Sequence, residues 1–207
     1  MKPNNFDRVA FIYDTLAFIF FGNNLRKAQS HFLNRLPANS KVLVLGSGTG
    51  WFANEILKNV PNSKITLVDS SQQMTNRAID KLKGTPVEIF CADENKRFPE
   101  PFDVVILPFF LDMFPNEKID KVIKVISNST KPETTWLIID FVSKRSWHQV
   151  YLWTMYRFFK LTCDIEAGHL PDWQALLTSN KVFINETKDF YKGFIQSTLG
   201  YSIKAYP

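Results

Sequence analysis

Hydrophobic and polar positions follow two rhythms along this chain. Mostly apolar runs at 42–45, 65–68, 87–92, 102–107 and 136–141 are short enough for buried strands. Between them, apolar side chains recur every three or four residues. Leu25, Ala28, Phe32, Leu33 and Leu36 form one such stripe, closed by Pro37. Phe52, Ile56 and Leu57 form a second, stopped by Pro61. Met74, Ala78, Ile79 and Leu82 form a third, ended by Gly84, and Ile119, Val122, Ile123 and Ile126 form a fourth, opened by Pro115. Ser70 and Gln73 have the spacing of a capping box ahead of the third helix. Residues 171–180 read as a short helix with Asn180 in the left-handed closing position, and 182–190 and 193–201 as two final strands. Strands alternating with one-faced helices predict a parallel sheet with right-handed crossovers.

The sharpest local signal is KVLVLGSGTGWFA, residues 41–53, where a buried strand runs into Gly46, Gly48 and Gly50 and then a helix. Glycines serve where the backbone turns sharply or a ligand approaches it closely, and the helix start adds free N–H groups. This predicts a nucleotide-type site. A dinucleotide loop places its third glycine where this chain has Trp51, which argues against a dinucleotide-dependent reductase. Asp69 ends the next strand, ITLVD, about 20 residues beyond the glycines, where an acid can accept ribose hydroxyls. Gly46, Asp69, Asp93, residues 107–110 and Asp140 all fall at carboxyl ends of strands, where open α/β sheets bind ligands.

GSGTG paired with ITLVDSS resembles the class I S-adenosylmethionine-dependent methyltransferases. That likeness implies an α/β, Rossmann-like fold: a mostly parallel seven-stranded sheet with the last strand antiparallel and helices on both faces. It implies S-adenosylmethionine as cofactor, held by Gly46, Ser47, Gly48, Gly50, Asp69, Ser70, Met74, Asp93 and Leu107. The FDRVAFIYD start resembles that of the ubiquinone- and menaquinone-biosynthesis type, which implies that Tyr13 lies against the cofactor. Two positions depart from the family pattern. Val44 stands where an acid is usual, and Ala92 rather than Asp93 occupies the usual acidic position after the third strand. Asp69 as a helix cap and Asp93 as a solvated loop acid are the alternatives.

At 207 residues, one domain over 1–207 is expected, with an N-terminal helical cap at 1–40 and an aromatic helical insertion at 145–165. The net charge of +5 is spread along the chain, and no nucleic-acid partner is expected. Cys91 and Cys163, with three histidines, show no metal-ligand spacing, and a reduced, cytoplasmic protein is the expectation. Asp14 breaks the one N-terminal apolar stretch that could pass for a leader.

Methyl transfer is a displacement that needs a base only if the acceptor loses a proton. Asp112, Asp140, His148, Tyr151 and His169 are the candidates, and no spacing singles one out. Residues 147–161, WHQVYLWTMYRFFKL, are apolar around most of a helix and need covering. They read as a core or dimer helix, or as a lid over a small hydrophobic or aromatic acceptor. Together with Phe18, Phe20 and Phe21 they leave peripheral membrane contact open. A cofactor binder without efficient transfer is the rival within the fold.

Overall fold

Each apolar run pairs with its neighbours into one seven-stranded sheet of order β3-β2-β1-β4-β5-β7-β6. The computed structural model describes residues 20–162 and 165–203. The strands are β1 (Lys41–Leu45), β2 (Lys64–Asp69), β3 (Val87–Cys91), β4 (Phe102–Pro108), β5 (Thr130–Phe141), β6 (Val182–Phe190) and β7 (Ile195–Ser202). β1, β2, β3, β4 and β5 pair in parallel, and β7 runs antiparallel between β5 and β6. The expected sheet is the observed one. Strand order reverses between β1 and β4, so their carboxyl ends open a crevice.

Six α-helices among the described residues cover the sheet: α1 (Asn24–Ser30), α2 (Trp51–Asn59), α3 (Gln72–Lys81), α4 (Asn116–Asn128), α5 (Ser146–Thr162) and α6 (Trp173–Ser179). Alternation along β1 explains the two layers. Val42 and Val44 pack with Ala28, Phe52, Ile56 and Ala78 from α1, α2 and α3. Leu43 and Leu45 point the other way, toward Ile119, Val122 and Ile123 of α4 and Leu177 of α6. None of the described helices is long and apolar enough to cross a membrane.

Several boundaries differ from the sequence expectation. The stripe from Leu25 to Leu36 is α1 followed by a 3₁₀ turn at Leu33–Arg35, with Phe32 in neither. The cap of α3 is Ser71, not Ser70: Asp69 Oδ1 accepts the Ser71 N–H at 2.9 Å, and Ser71 Oγ then accepts the Met74 N–H at 3.1 Å. Ile79 is 49% exposed, because α3 buries the narrower stripe Met74, Thr75 and Ala78. β5 starts six residues earlier than its apolar run, at Thr130, and Thr134 Oγ1 donates to the Phe102 carbonyl at 2.9 Å across the register shift. Asn180 keeps a negative φ of −94° while its Nδ2 donates to Asp120 Oδ1 at 2.9 Å, and Lys181, at φ 62°, makes the left-handed turn.

Gly50 shows how tightly α2 and α3 approach. Its φ is +78°, and a Cβ there would stand 3.1 Å from both Cα and Cβ of Ala78. Gly50→Ala is expected to lower unfolding free energy by about 2–4 kcal/mol, combining left-handed strain with overpacking. Gly84, at φ +82° with open space around it, gives the control. Gly84→Ala is expected to cost only ~1–2 kcal/mol in the same urea titration. Equal losses would mean that the close helix contact contributes nothing.

Candidate functional site

The bend after β1 is held from the neighbouring strand. Gly46 N–H donates to the Val68 carbonyl at 2.9 Å, and Gly48 N–H donates to Asp69 Oδ2 at 2.8 Å. Asp69 thus ties the glycine loop with one oxygen and the start of α3, through Ser71, with the other. A Cβ on Gly46 would come within 3.0 Å of the Phe110 ring, so the loop and the turn after β4 also fit only with glycine there.

This bend forms one wall of a cavity of about 450 Å³. Gly46, Ser47, Gly48, Asp69, Ser70, Met74 and Asp93 all line it. Ala92 and Glu94 line it as well, so the loop after β3 brings both of the contested positions to the cavity. Gly50 and Leu107 are not among its walls: Gly50 packs on α3, and Leu107 lies in the core while Pro108, Phe109 and Phe110 reach the cavity instead. Tyr13 lies outside the described residues. Val44 is buried in the core, and no acid stands at that position. Ser47 Oγ is buried and has no hydrogen-bond partner among the described residues, which leaves it available to a ligand.

Other walls were not marked as ligand positions by the sequence. The Arg26 guanidinium lies 4.7 Å over the ring of Trp51, and both line the cavity from α1 and α2. Lys118 of α4 bridges Glu94 at 2.8 Å and Glu166 at 2.5 Å, joining the loops after β3 and α5 at the cavity. Burial works against the Lys118 charge, but its two carboxylate partners outweigh it and raise its pKa. An ion pair between residues this far apart in sequence is legible only in three dimensions.

A second cavity, of about 580 Å³, adjoins the first. Leu25, Phe109, Met113 and Ile165 belong to both. α5 supplies much of its wall, including Trp147, Tyr151, Met155 and Phe159, and none of these lines the first cavity. Phe109 stands at the division in a left-handed conformation, φ 52°, held by its N–H on the Ile139 carbonyl at 2.7 Å. A non-glycine residue in that region stores about 1–3 kcal/mol and marks a position that the surroundings dictate.

The candidate bases separate by location. His148 is fully buried against Trp147 and Phe194 and lines neither cavity; its Nδ1 accepts the Lys144 N–H at 2.9 Å. Burial, then the nearby Arg145 charge, lowers its pKa. His169 is exposed and also lines neither. Tyr151 lines the second cavity, donates to the Phe20 carbonyl at 3.2 Å, and is pushed up to about 12 by burial and by Tyr191. Asp112 lines the second cavity and Asp140 lies behind it. Burial raises the Asp112 carboxyl to about 7, and burial with the Asp112 charge raises Asp140 well above the ordinary range.

Residues 42–133 match the sequence profile of the methyltransferase domain family. Malonyl-[acyl-carrier protein] O-methyltransferase 1 of Ilyobacter polytropus is 34% identical over 110 residues, 49% of this chain and 38% of that protein. Carboxy-S-adenosyl-L-methionine synthase of Nautilia profundicola is 27% identical over 143 residues, 66% of this chain and 61% of that one. The crystal structure of a SAM-dependent methyltransferase from Aquifex aeolicus superposes with a TM-score of 0.61 at 18% identity, covering 86% of this chain and 93% of that one. The chain thus spans about two fifths of the length of the curated O-methyltransferases it matches. It has the fold of the class I S-adenosylmethionine-dependent methyltransferases, whose cofactor is S-adenosylmethionine, and residues 42–133 carry the sequence likeness to the methyltransferase domain family.

The paired acids make stability depend on pH. Both carboxyls stay protonated in the folded protein after the unfolded chain has lost those protons, so folding weakens as pH rises from about 4 toward 7. Asp112→Asn removes that penalty. The variant is expected to gain stability over wild type at pH 8, by at most ~4 kcal/mol, with the gain shrinking toward pH 4.5 in urea titrations. A gain independent of pH would mean that the Asp112 carboxyl is ionised throughout.

Proposed function

We propose that this chain transfers the methyl group of S-adenosylmethionine to a small acceptor with an apolar, aromatic-sized body. One observation carries the reading: the glycine-loop cavity and the aromatic cavity share Leu25, Phe109, Met113 and Ile165 as walls. A polar, nucleoside-sized site beside a greasy one is what donor and acceptor of a methyl group need.

The residues of the first cavity suit the cofactor group by group. Backbone around Gly46, Ser47 and Gly48, with the unpartnered Ser47 Oγ, offers hydrogen bonds to the methionine part. Asp69 offers carboxylate lone pairs to the ribose diol, and Met74 an apolar face to adenine, with Asp93 as the acceptor for its amine. Ser70 stands beside Asp69, while Gly50 and Leu107 support the site from behind the wall. When bound, S-adenosylmethionine supplies a methyl group activated by its sulfonium. The chain positions the acceptor and excludes water, an arrangement worth ~7–11 kcal/mol for well-oriented partners.

On this reading residues 20–162 and 165–203 belong to a single domain, with α5 and Ile165 as the acceptor wall. Val150, Trp153 and Leu161 are exposed on α5, which supports peripheral contact with a membrane when an apolar acceptor is delivered. The acceptor named for the Ilyobacter protein is not carried over, because that likeness spans only 49% of this chain. Val44, buried where the family has an acid, favours the second reading, a cofactor binder with poor turnover.

Titration calorimetry with S-adenosylhomocysteine tests the first cavity. Asp69→Ala is expected to weaken binding about tenfold or more, since a charged hydrogen-bond acceptor contributes ~1.5–3 kcal/mol. Unchanged affinity would move the ribose elsewhere. Met155→Trp fills the second cavity and is expected to abolish methyl transfer to aromatic acceptors while leaving the S-adenosylhomocysteine Kd within about twofold. A parallel loss of both would mean that the two cavities act as one site.

A further inference from the structure

The second cavity is apolar around most of its wall, yet it contains a buried acid. Asp112 sits on the 3₁₀ turn Leu111–Met113, directly beyond β4, and is 8% exposed; Asp140 on β5 is 0% exposed. Asp140 accepts three backbone N–H groups. Its Oδ2 accepts the N–H groups of Leu111 at 2.9 Å and Asp112 at 3.3 Å, and its Oδ1 accepts the Phe141 N–H at 2.8 Å. The Asp112 side chain hydrogen-bonds to Asp140, and its Oδ1 has no partner among the described residues.

The hydroxyls of Tyr151, Thr154 and Tyr156, which line the same cavity, are directed elsewhere. Tyr156 donates to the Asp112 carbonyl at 3.0 Å, Thr154 to the Val150 carbonyl at 3.0 Å, and Tyr151 to the Phe20 carbonyl at 3.2 Å. An unsatisfied buried carboxyl oxygen is costly, and no lysine or arginine is among the groups that shift the pair. The groups facing it are Asp140 from β5 and Tyr156 from α5. Two adjacent carboxyls in an apolar setting cannot both ionise, so in its charged form the pair keeps one proton and one negative charge.

We propose that Asp112 Oδ1 receives the hydroxyl of the acceptor, so that the acceptor is a neutral phenol- or enol-type molecule and the methyl group goes to oxygen. This rests on the methyltransferase reading above. In the step, the acceptor O–H bond breaks and its proton passes to Asp112. The oxygen forms a bond to the methyl carbon, and the carbon–sulfur bond breaks with its electron pair staying on sulfur. Charge balances: the singly negative pair becomes neutral, and the sulfonium becomes a thioether. Asp112 is the catalytic residue, and Asp140, which never touches the acceptor, positions it and shares its proton. A carboxylate acceptor would meet like charge here and is disfavoured.

Binding of 2-naphthol and of naphthalene to the protein saturated with S-adenosylhomocysteine tests this without turnover. Wild type is expected to bind 2-naphthol at least tenfold more tightly than naphthalene at pH 8. That preference should fall at least fivefold between pH 8 and pH 5.5, as the pair takes up its second proton. Asp112→Leu should bring the two ligands within about threefold of each other, and Asp112→Asn should make the preference independent of pH. Both variants should bind S-adenosylhomocysteine as wild type does, which shows that they fold. A wild-type preference that is absent, or that survives unchanged in Asp112→Leu, overturns the assignment while the methyltransferase reading stands. Failure of S-adenosylhomocysteine to bind wild type at all overturns that reading and this one with it.

Discussion

One carboxylate holds the crevice in shape. Asp69 ends β2 with one oxygen on the Gly48 N–H and the other on the Ser71 N–H, so a single side chain fixes the glycine loop and the start of α3 relative to each other. Gly46, Gly48 and Gly50 all sit at positive φ, where a glycine-rich segment is otherwise free to wander. Two charge-assisted hydrogen bonds across 21 residues in one case and 2 in the other offset that freedom. The wall they stabilise is the one a nucleoside would meet.

The second feature that organises the site is a division. Phe109 leaves β4 in a strained conformation and lies 5.2 Å, centroid to centroid, from Phe141, turning its side chain to the boundary of the two cavities. The next turn, Leu111–Met113, then carries Asp112 to the second cavity and Met113 to both. Polar surface therefore collects on the β1–β2 side and aromatic surface under α5. Phe109, in its left-handed conformation, is one of four residues that the chemically different spaces share as wall.

The buried acids work against stability, as the burial of ionisable groups does in general. Asp140 is compensated by three backbone N–H groups, which anchor the turn after β4 to β5. Asp112 is not compensated to the same extent. Within a single core, one acid serves the fold and the other is left facing an apolar space.

The residues alone determined the sheet and its ligand edge. The mostly apolar runs at 42–45, 65–68 and 102–107 read as buried strands by their length, and the glycines after Leu45 with Asp69 one strand away pointed to the crevice, because those signals are local. Boundaries were less legible: Ser71 displaced Ser70 as a cap because Asp69 claimed its N–H, a contact that spacing does not show. Tertiary structure alone decided that Arg26 stacks on Trp51, that Lys118 joins Glu94 to Glu166, and that Asp112 rather than His148 faces the aromatic cavity. Those arrangements join residues tens of positions apart, and their energies come from burial and from charges meeting across loops. No periodicity in the chain encodes them.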